Sequence, residues 1–223
     1  MKIVSLNVGR PRLYMHNGAS FSTGIFKEPV AGRVMLRRTN LDGDRQADLS
    51  VHGGPDKAVY GYPSEHYAYW RKELGGEKLP WGTFGENFTT VGLLEKDVRI
   101  GDHFRVGGAT VMVRTPRLPC FKLAAKFRRE DMIERFLRTG WSGFYFSVLE
   151  EGEVGAGDEF QLLGTIEPSL SVFDTFAAYT SLDLGLLRRA AAVTALPEGW
   201  RERFQARADA IQKAVIERNT AVR

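Results

Sequence analysis

The single cysteine of the chain, Cys120, is the side chain whose type and surroundings are best suited to chemistry. It follows two prolines, Pro116 and Pro119, and has the cations Arg117 and Lys122 close by. The residues after it are typical of a helix, and proline is tolerated in a first helical turn, so Cys120 is predicted at or next to a helix N-terminus. Such a position favours a thiolate over a thiol. The alternative is a small packed apolar residue, the usual state of a free cysteine.

A glycine pair in the segment 48–60 is a candidate anion site. Gly53 and Gly54 allow their backbone amides to approach a ligand closely, and successive amides can form an anion nest. His52 before the pair and Lys57 after it add donors suited to a phosphate or an oxyanion. The alternative interpretation of this segment is a turn between two strands, with a solvated lysine.

Two further segments contain polar side chains next to glycine. Segment 22–29 is a glycine turn that leads to Lys27, for which the alternative is a solvated loop lysine. Segment 81–89 is a glycine-rich aromatic loop that ends in Glu86 and Asn87. These two side chains can hydrogen-bond a heterocycle, or they can close the loop on itself.

The composition limits the classes of protein to consider. The chain has 223 residues and a net charge of +4, which is too small and too dispersed an excess to indicate nucleic-acid binding. It contains no apolar run long enough to cross a membrane. The first residues are too quickly polar for a signal peptide, and with a single cysteine we expect a cytoplasmic protein.

Glycines and short alternating segments indicate strands over the first 165 residues. A hairpin is predicted at 103–113. Two Gly-Asp corners, at Asp102 and Asp158, precede similar alternating strands, which supports a β-barrel in which both carboxylates are structural. Two helices interrupt the strands, one capped by Ser64 and another over 132–137.

The pattern changes after residue 168, where three short amphipathic helices are predicted. This part contains no cysteine and no histidine, so its expected role is to support or dock onto the barrel. The helices are predicted over 172–179, 184–195 and 197–217, with Ser171, Asp183 and Pro197 as their caps.

Five short segments occur in a characteristic order: TGIFK at 23–27, HGGPDKAVY at 52–60, FGEN at 84–87, IGD at 100–102 and PRLPC at 116–120. This ordered set resembles the MOSC domain, the module also found at the C-terminus of molybdenum cofactor sulfurases. Within that family it resembles the YiiM group, which is associated with resistance to hydroxylaminopurine. The chain departs from the pattern in two places: Arg114-Thr115 replaces an expected Ser-Gln pair, and Ser147 replaces a basic residue.

The resemblance implies the fold and the ligand. It implies a mainly β protein with helices (α+β), in which a MOSC-type mixed-strand β-barrel over residues 1–165 precedes a small three-helix domain over 168–223. The barrel would hold the molybdenum cofactor (molybdopterin), a pterin dithiolene that bears a phosphate, in a basic cavity.

The resemblance also implies roles for site residues. Cys120 would ligate molybdenum, while Lys27 and His52 would face the open metal position. His52 would deliver a proton, and Lys27 would orient the leaving oxygen or hold negative charge. The residues implied in cofactor binding are Thr23, Gly53, Gly54, Lys57, Asn87, Arg117 and Lys122.

The activity implied is reduction of N-hydroxylated compounds such as hydroxylaminopurine-type base analogues. The chain has no dinucleotide fingerprint, so electrons would come from a separate flavoprotein or ferredoxin-like partner. Neither nucleic acid nor a membrane is expected as a partner. Two alternatives are a sulfur carrier that uses a Cys120 persulfide and a cofactor-binding or storage module without turnover.

Overall fold

The computed structural model describes residues 1–47, 53–76 and 78–221. Its strands all lie in the first three quarters of the chain, interrupted by three α-helices, and three further α-helices follow them. The strands are β1 (Lys2–Val8), β2 (Arg12–His16), β3 (Ala19–Thr23), β4 (Glu28–Pro29), β5 (Arg33–Leu36), β6 (Val59–Pro63), β7 (Phe88–Val91), β8 (Asp102–Val106), β9 (Ala109–Pro116), β10 (Phe144–Glu150), β11 (Gly152–Gly155) and β12 (Phe160–Thr165). The α-helices are α1 (Tyr67–Glu73), α2 (Phe121–Phe127), α3 (Met132–Thr139), α4 (Val172–Thr180), α5 (Leu184–Ala191) and α6 (Glu198–Ala221).

Eight strands form one sheet in the order β12-β8-β9-β10-β6-β7-β1-β4. Strands β6 and β7 are parallel and the other neighbours are antiparallel, so the predicted mixed-strand sheet is confirmed. The sheet curls into a half-barrel. Backbone hydrogen bonds join the start of the chain to the segment around β12. The Ile3 amide donates to the Asp158 carbonyl at 2.9 Å, and the Phe160 amide donates to the Met1 carbonyl at 3.0 Å.

One hydrophobic core runs through the half-barrel and into the C-terminal helices. Alternate residues of the strands point into it, as expected for a sheet with one buried face. The helices add their apolar stripes to the same core rather than enclosing a separate one. Its members include Ile100, Val111, Phe146 and Phe160 from the sheet, and Leu187, Val193, Phe204 and Ala208 from the helical part.

A second, aromatic cluster is built around Trp70, Phe84 and Phe136, and it brings α1, α2 and α3 together. Its rings are tilted or stacked against one another, with Trp70 and Phe136 centroids 6.0 Å apart. The Trp70 indole donates to the Tyr62 hydroxyl at 2.7 Å, so its buried polar atom is satisfied. This cluster lies beneath the segment that carries Cys120 and packs Leu123 of α2.

The C-terminal helices follow the sequence prediction at their N-termini. The Ser171 hydroxyl accepts from the Asp174 amide at 2.9 Å, and the Asp183 carboxylate accepts from the Leu186 amide at 2.8 Å. The helix predicted over 184–195 is shorter than expected and ends at Ala191. The residues that follow form turns and bury Val193, Ala195 and Leu196 in the core.

The prediction of two Gly-Asp corners and the prediction of a helix cap at Ser64 have different outcomes. The Asp102 carboxylate accepts from the Arg99 amide at 2.8 Å and the Asp158 carboxylate accepts from the Gly155 amide at 2.9 Å, so both Gly-Asp corners are closed by their carboxylates. The Ser64 cap was wrong: Ser64 begins a short 3-10 turn, and α1 starts three residues later without a side-chain cap.

Among the described helices, none combines the length and the apolar character that crossing a membrane requires.

Candidate functional site

Cys120 lies at the N-cap of α2, which confirms its predicted placement. Strand β9 ends at Pro116, and the extended residues after it lead to Cys120, whose carbonyl accepts from the Leu123 amide at 2.9 Å. The thiol is free and half-buried. Arg117 and Tyr145 lie within electrostatic range of its sulfur.

The cysteine lines a cavity of about 90 Å³ that is partly open to solvent. Gly54 is not among the lining residues, and His52 lies outside the residues that the structure describes. The sequence-predicted residues that do line the cavity are Thr23, Lys27, Gly53, Lys57, Asn87, Arg117, Cys120 and Lys122.

The cavity wall is strongly electropositive. Among the described residues that line it, five carry a cationic side chain and Asp44 carries the one carboxylate. Low-dielectric walls lined by one sign of charge focus the field and attract ions of the opposite sign. The cavity therefore suits a polyanionic ligand. The five cations are Lys27, Arg45, Lys57, Arg117 and Lys122.

Arg117 is the most unusual of these cations, because it is 5% exposed and packed among aromatic rings. Its guanidinium lies 5.3 Å from the centroid of the Tyr60 ring and 5.2 Å from that of Phe136. Its Nη1 has no hydrogen-bond partner within the described part of the chain. A buried donor without a partner costs free energy, so an anionic ligand at this wall would satisfy it.

Lys27 is held by a carboxylate that sequence reasoning missed. Its Nζ forms an ion pair and hydrogen bond with Asp44, and the two side chains are 7% and 1% exposed. The Gly9 amide donates to the same carboxylate at 2.8 Å. Burial lowers the pKa of Lys27, while the Asp44 charge acts in the opposite direction. Lys27 is therefore a buried, positioned cation and not the solvated loop lysine considered above.

Asn87 lines the cavity but uses its amide group within the protein. Its Nδ2 donates to the Asp44 carboxylate at 3.0 Å and to the Asn7 carbonyl at 3.2 Å, while its Oδ1 accepts from the Tyr60 amide at 3.1 Å. Both amide hydrogens are thus engaged. Asn87 orients Asp44, which in turn orients Lys27.

The glycine pair leads into a short 3-10 turn over Pro55–Lys57. Gly53 and Gly54 have φ of 98° and 82°, which residues with a Cβ rarely adopt. Gly53 lines the cavity, whereas the carbonyl of Gly54 accepts from the Lys57 amide at 3.1 Å. Arg114, one of the two departures from the family pattern, donates to Asp56 at 2.7 Å and fixes this turn against β9.

Glu86 closes its own loop, as one of the two interpretations of segment 81–89 predicted. Its carboxylate accepts from the amides of Gly82 and Phe84, at 2.7 and 3.0 Å, and from the hydroxyls of Tyr67 and Thr89. These four donors hold the loop beside the cavity.

Sequence reasoning also missed Lys126, a cation on α2 next to the cavity wall. Its Nζ donates to the carbonyls of Ile25 and Gly82, both at 3.0 Å, so it joins α2 to the two loops that flank the site. Burial lowers its pKa to about 8, with Glu86 acting in the opposite direction. The sequence feature that could have identified Lys126 is its position on the buried side of a short helix, where lysine seldom lies without partners.

Lys126 gives the protein a testable pH dependence. Between about pH 8 and the ordinary lysine value the unfolded chain binds a proton that the folded chain has released, so the free energy of unfolding rises with pH there. We expect this group to contribute a rise of roughly 3 kcal/mol in the free energy of unfolding, which Lys126→Met removes. Urea unfolding at several pH values measures the slope. Lys72→Met, at an exposed lysine, serves as control, and equal slopes in Lys126→Met and the wild type would contradict the assignment.

The sequence of this chain is similar to a family model and to several known proteins. The MOSC domain model matches residues 48–161. "Uncharacterized protein YflK" of Bacillus subtilis is 44% identical over 209 residues, covering 93% of this chain and 94% of that protein. "Protein YiiM" of Escherichia coli is 36% identical over 188 residues, covering 83% and 84%. A Gibberella moniliformis protein named "Reductase" is 35% identical over 160 residues, which are 70% of this chain and 28% of that protein.

Solved structures agree over nearly the whole chain, including the helical part. The crystal structure of YiiM from Geobacillus stearothermophilus has 36% identity and a TM-score of 0.77, covering 93% of this chain and 98% of that one. The crystal structure of YiiM from Escherichia coli has 30% identity and a TM-score of 0.74, covering 94% of both. With the family model, the relatives and the fold in agreement, the chain belongs to the MOSC domain family and is a YiiM-like member of it.

Proposed function

We propose that the protein is a molybdenum cofactor-dependent reductase of N-hydroxylated compounds. The observation that carries this proposal is the free thiol of Cys120 in the wall of a cavity lined by five cationic side chains. A thiolate is a soft ligand suited to a metal–sulfur centre, and the cations suit a cofactor with phosphate and oxo groups. Cys120 would be the protein's metal ligand.

The cavity wall fits such a cofactor in one further respect. The buried Nη1 of Arg117 lacks a partner among the described residues, and a phosphate or oxo oxygen would supply one. We infer that Arg117, Lys122 and Lys57 hold the anionic groups.

Reduction of N–OH to N–H consumes two electrons and two protons and releases water. The bound cofactor would supply a two-electron couple at the metal. The protein has to bind the substrate, exclude water and hold a proton near the departing oxygen. Lys27 is suited to the last task, because burial lowers the pKa of its ammonium group and Asp44 fixes its Nζ in place. The proposed proton delivery by His52 remains a prediction, since His52 is outside the described residues.

Two observations support a redox role and an external electron source. The fungal relative named "Reductase" shares 35% identity with 70% of this chain, and this chain spans 28% of that relative. Because the sequence lacks a dinucleotide fingerprint, we propose that a separate flavoprotein or ferredoxin-like protein delivers the electrons.

The test begins with the composition of freshly purified protein from a host that makes the cofactor. We expect molybdenum and a fluorescent pterin in about equal amounts, and reduction of hydroxylaminopurine with an artificial electron donor. Protein that lacks both molybdenum and pterin would refute the proposal. Cofactor without any reduction would indicate a storage module, and a persulfide on Cys120 in protein without molybdenum would indicate a sulfur carrier.

A companion variant tests the role of Lys27. Lys27→Met keeps the length of the side chain but carries no proton, so we expect cofactor retention with kcat lowered by about 100-fold, in line with the loss of a positioned proton donor. The control is Lys213→Met, at an exposed lysine of α6. Unchanged kcat in Lys27→Met would remove this lysine from the mechanism.

A further inference from the structure

Three exposed arginines border the cavity on one side, and we call them the arginine rim: Arg10, Arg12 and Arg45. Arg45 lines the cavity and also a neighbouring hollow, whose wall includes Arg10. The Arg45 amide donates to the Gly9 carbonyl at 3.1 Å, which holds the two segments together. Arg12 follows two residues later, with its guanidinium 3.8 Å from the centroid of the Phe26 ring. The rim therefore places three positive charges beside the site.

The rim arginines differ from other exposed arginines of the half-barrel in their lack of a counter-ion. Within the described part of the chain, none of the three rim guanidinium groups has a carboxylate at ion-pair distance. By contrast, the guanidinium of Arg33 lies 2.9 Å from the Asp158 carboxylate, and that of Arg37 lies 3.2 Å from Asp42. Asp44, which lies next to Arg45 in the chain, is buried and already in an ion pair. Positive charges gathered without counter-ions attract an anionic partner.

Strand β2, which contains Arg12, exposes two apolar side chains next to the rim. Leu13 is 73% exposed and Met15 is 63% exposed, whereas the residues that alternate with them are half-buried. Their cross-strand partners on β3 are both serines, so no charge interrupts this face of the hairpin. Methionine and arginine are enriched in protein interfaces, where apolar contacts lie inside a polar border. The rim and this apolar pair thus have the composition of a docking surface for a protein.

The hairpin of β2 and β3 lies close to the cysteine. Thr23, the last residue of β3, lines the same cavity as Cys120. The ring of Phe21 contacts that of Phe121 with centroids 4.9 Å apart, and Phe121 directly follows Cys120. A protein seated on the rim and the hairpin is therefore adjacent to the segment that would ligate the metal. Electron-transfer complexes are among the smallest protein interfaces, so they do not require a large apolar face.

We propose that the arginine rim, with Leu13 and Met15, docks an electron-donor protein whose carboxylates surround its redox centre. This inference rests on the proposed function and adds to it the docking surface and the charge of the donor. Conversion of N–OH and two protons to N–H and water consumes two electrons. One reduced flavoprotein supplies both and is oxidised, or two iron–sulfur proteins supply one each. The unpaired arginines steer an acidic partner to the surface, and the apolar pair adds contact once the partner is seated.

The turnover test supplies cofactor-loaded protein with two electron donors, a plant-type ferredoxin, which is a small acidic protein, and the dye methyl viologen. In the double variant Arg10→Glu with Arg12→Glu, kcat/KM for reduced ferredoxin should fall by about tenfold or more at low salt. The loss should shrink at about 0.5 M salt, because salt screens exposed charges. Turnover with methyl viologen should not fall, since neither arginine lines the cavity. The matched control is Arg188→Glu with Arg189→Glu, which changes the net charge equally at exposed positions of α5.

Direct binding tests the surface without turnover. We expect wild-type protein to bind oxidised ferredoxin with an affinity that falls as salt rises, and the double variant at Arg10 and Arg12 to lose most of that affinity. Leu13→Ser with Met15→Ser should weaken binding by about tenfold at every salt concentration, because the apolar contribution is not screened.

Wild-type protein that binds ferredoxin no better than the double variant at Arg10 and Arg12 would overturn the proposal, and so would full ferredoxin-driven turnover in that variant. Tighter binding of a DNA duplex or of phosphatidylserine vesicles, dependent on the same two arginines, would also overturn it and assign the surface to nucleic acid or to a membrane. Ferredoxin binding that depends on the rim, in a protein that reduces hydroxylaminopurine with neither donor, would refute the reductase and leave the docking of an acidic protein standing.

Discussion

Replacing Cys120 with serine should abolish hydroxylaminopurine reduction and remove most of the bound molybdenum. The hydroxyl of serine is a poor substitute for a soft thiolate ligand. Changes in the outer shell of a metal site already cost 10–100-fold in affinity or activity, so loss of the ligand itself should lower activity by at least about 100-fold. Molybdenum content and turnover of the purified variant measure the two effects.

Folding of this variant should be nearly unchanged, because Cys120 is half-buried and its side chain makes no capping hydrogen bond to α2. We expect a free energy of unfolding within about 0.5 kcal/mol of the wild type. Phe121→Leu is the neighbouring control, since Phe121 is 54% exposed and packs against Phe21 rather than lining the cavity. Full molybdenum content in Cys120→Ser would show that the cysteine is not the ligand.

Replacing Asp44 with alanine should cause the largest loss of stability in the site. The change leaves the ammonium of Lys27 buried without its counter-ion, and it removes the acceptor of Gly9 and Asn87. Removing one partner of a buried ion pair costs about 3–5 kcal/mol. The measurement is the free energy of unfolding in urea.

Asp56→Ala is the matched control, because Asp56 also accepts from a cation but is 43% exposed. Exposed ion pairs contribute about 0–1 kcal/mol, so this variant should remain close to the wild type. Adding Lys27→Met to Asp44→Ala should recover part of the lost stability by removing the unpaired charge. An additive double variant would show that Lys27 and Asp44 are not coupled.

The residues that line the cavity were easier to predict from the sequence than the contacts that hold them in place. Lys27, Lys57 and Arg117 are each recognisable beside a glycine turn or a proline, and all three line one cavity. Asp44 was missed because its partners lie 17, 35 and 43 residues away and no local pattern marks it. Tyr145 was missed for a similar reason, since its strand pattern identifies a buried residue but not the hollow that it faces.

The helical part was predicted closely because its signals are local. The caps at Ser171 and Asp183 depend on residues three positions apart, which a sequence shows directly. The hairpin of β2 and β3 was not predicted, and it covers α2 through a ring contact between Phe21 and Phe121 with centroids 4.9 Å apart. Such packing between distant segments depends on the completed fold.

The shared core has a consequence for synthesis of the chain. Strand β12 is the last strand of the sheet along the chain, and Phe204 and Ala208, which complete the same core, follow roughly forty residues later. At the usual speed of translation this interval lasts about 2–8 s. During that time the half-barrel has emerged with part of its apolar surface uncovered. The newly made protein is thus most exposed to aggregation, and most accessible to chaperones, just before its last helix is finished.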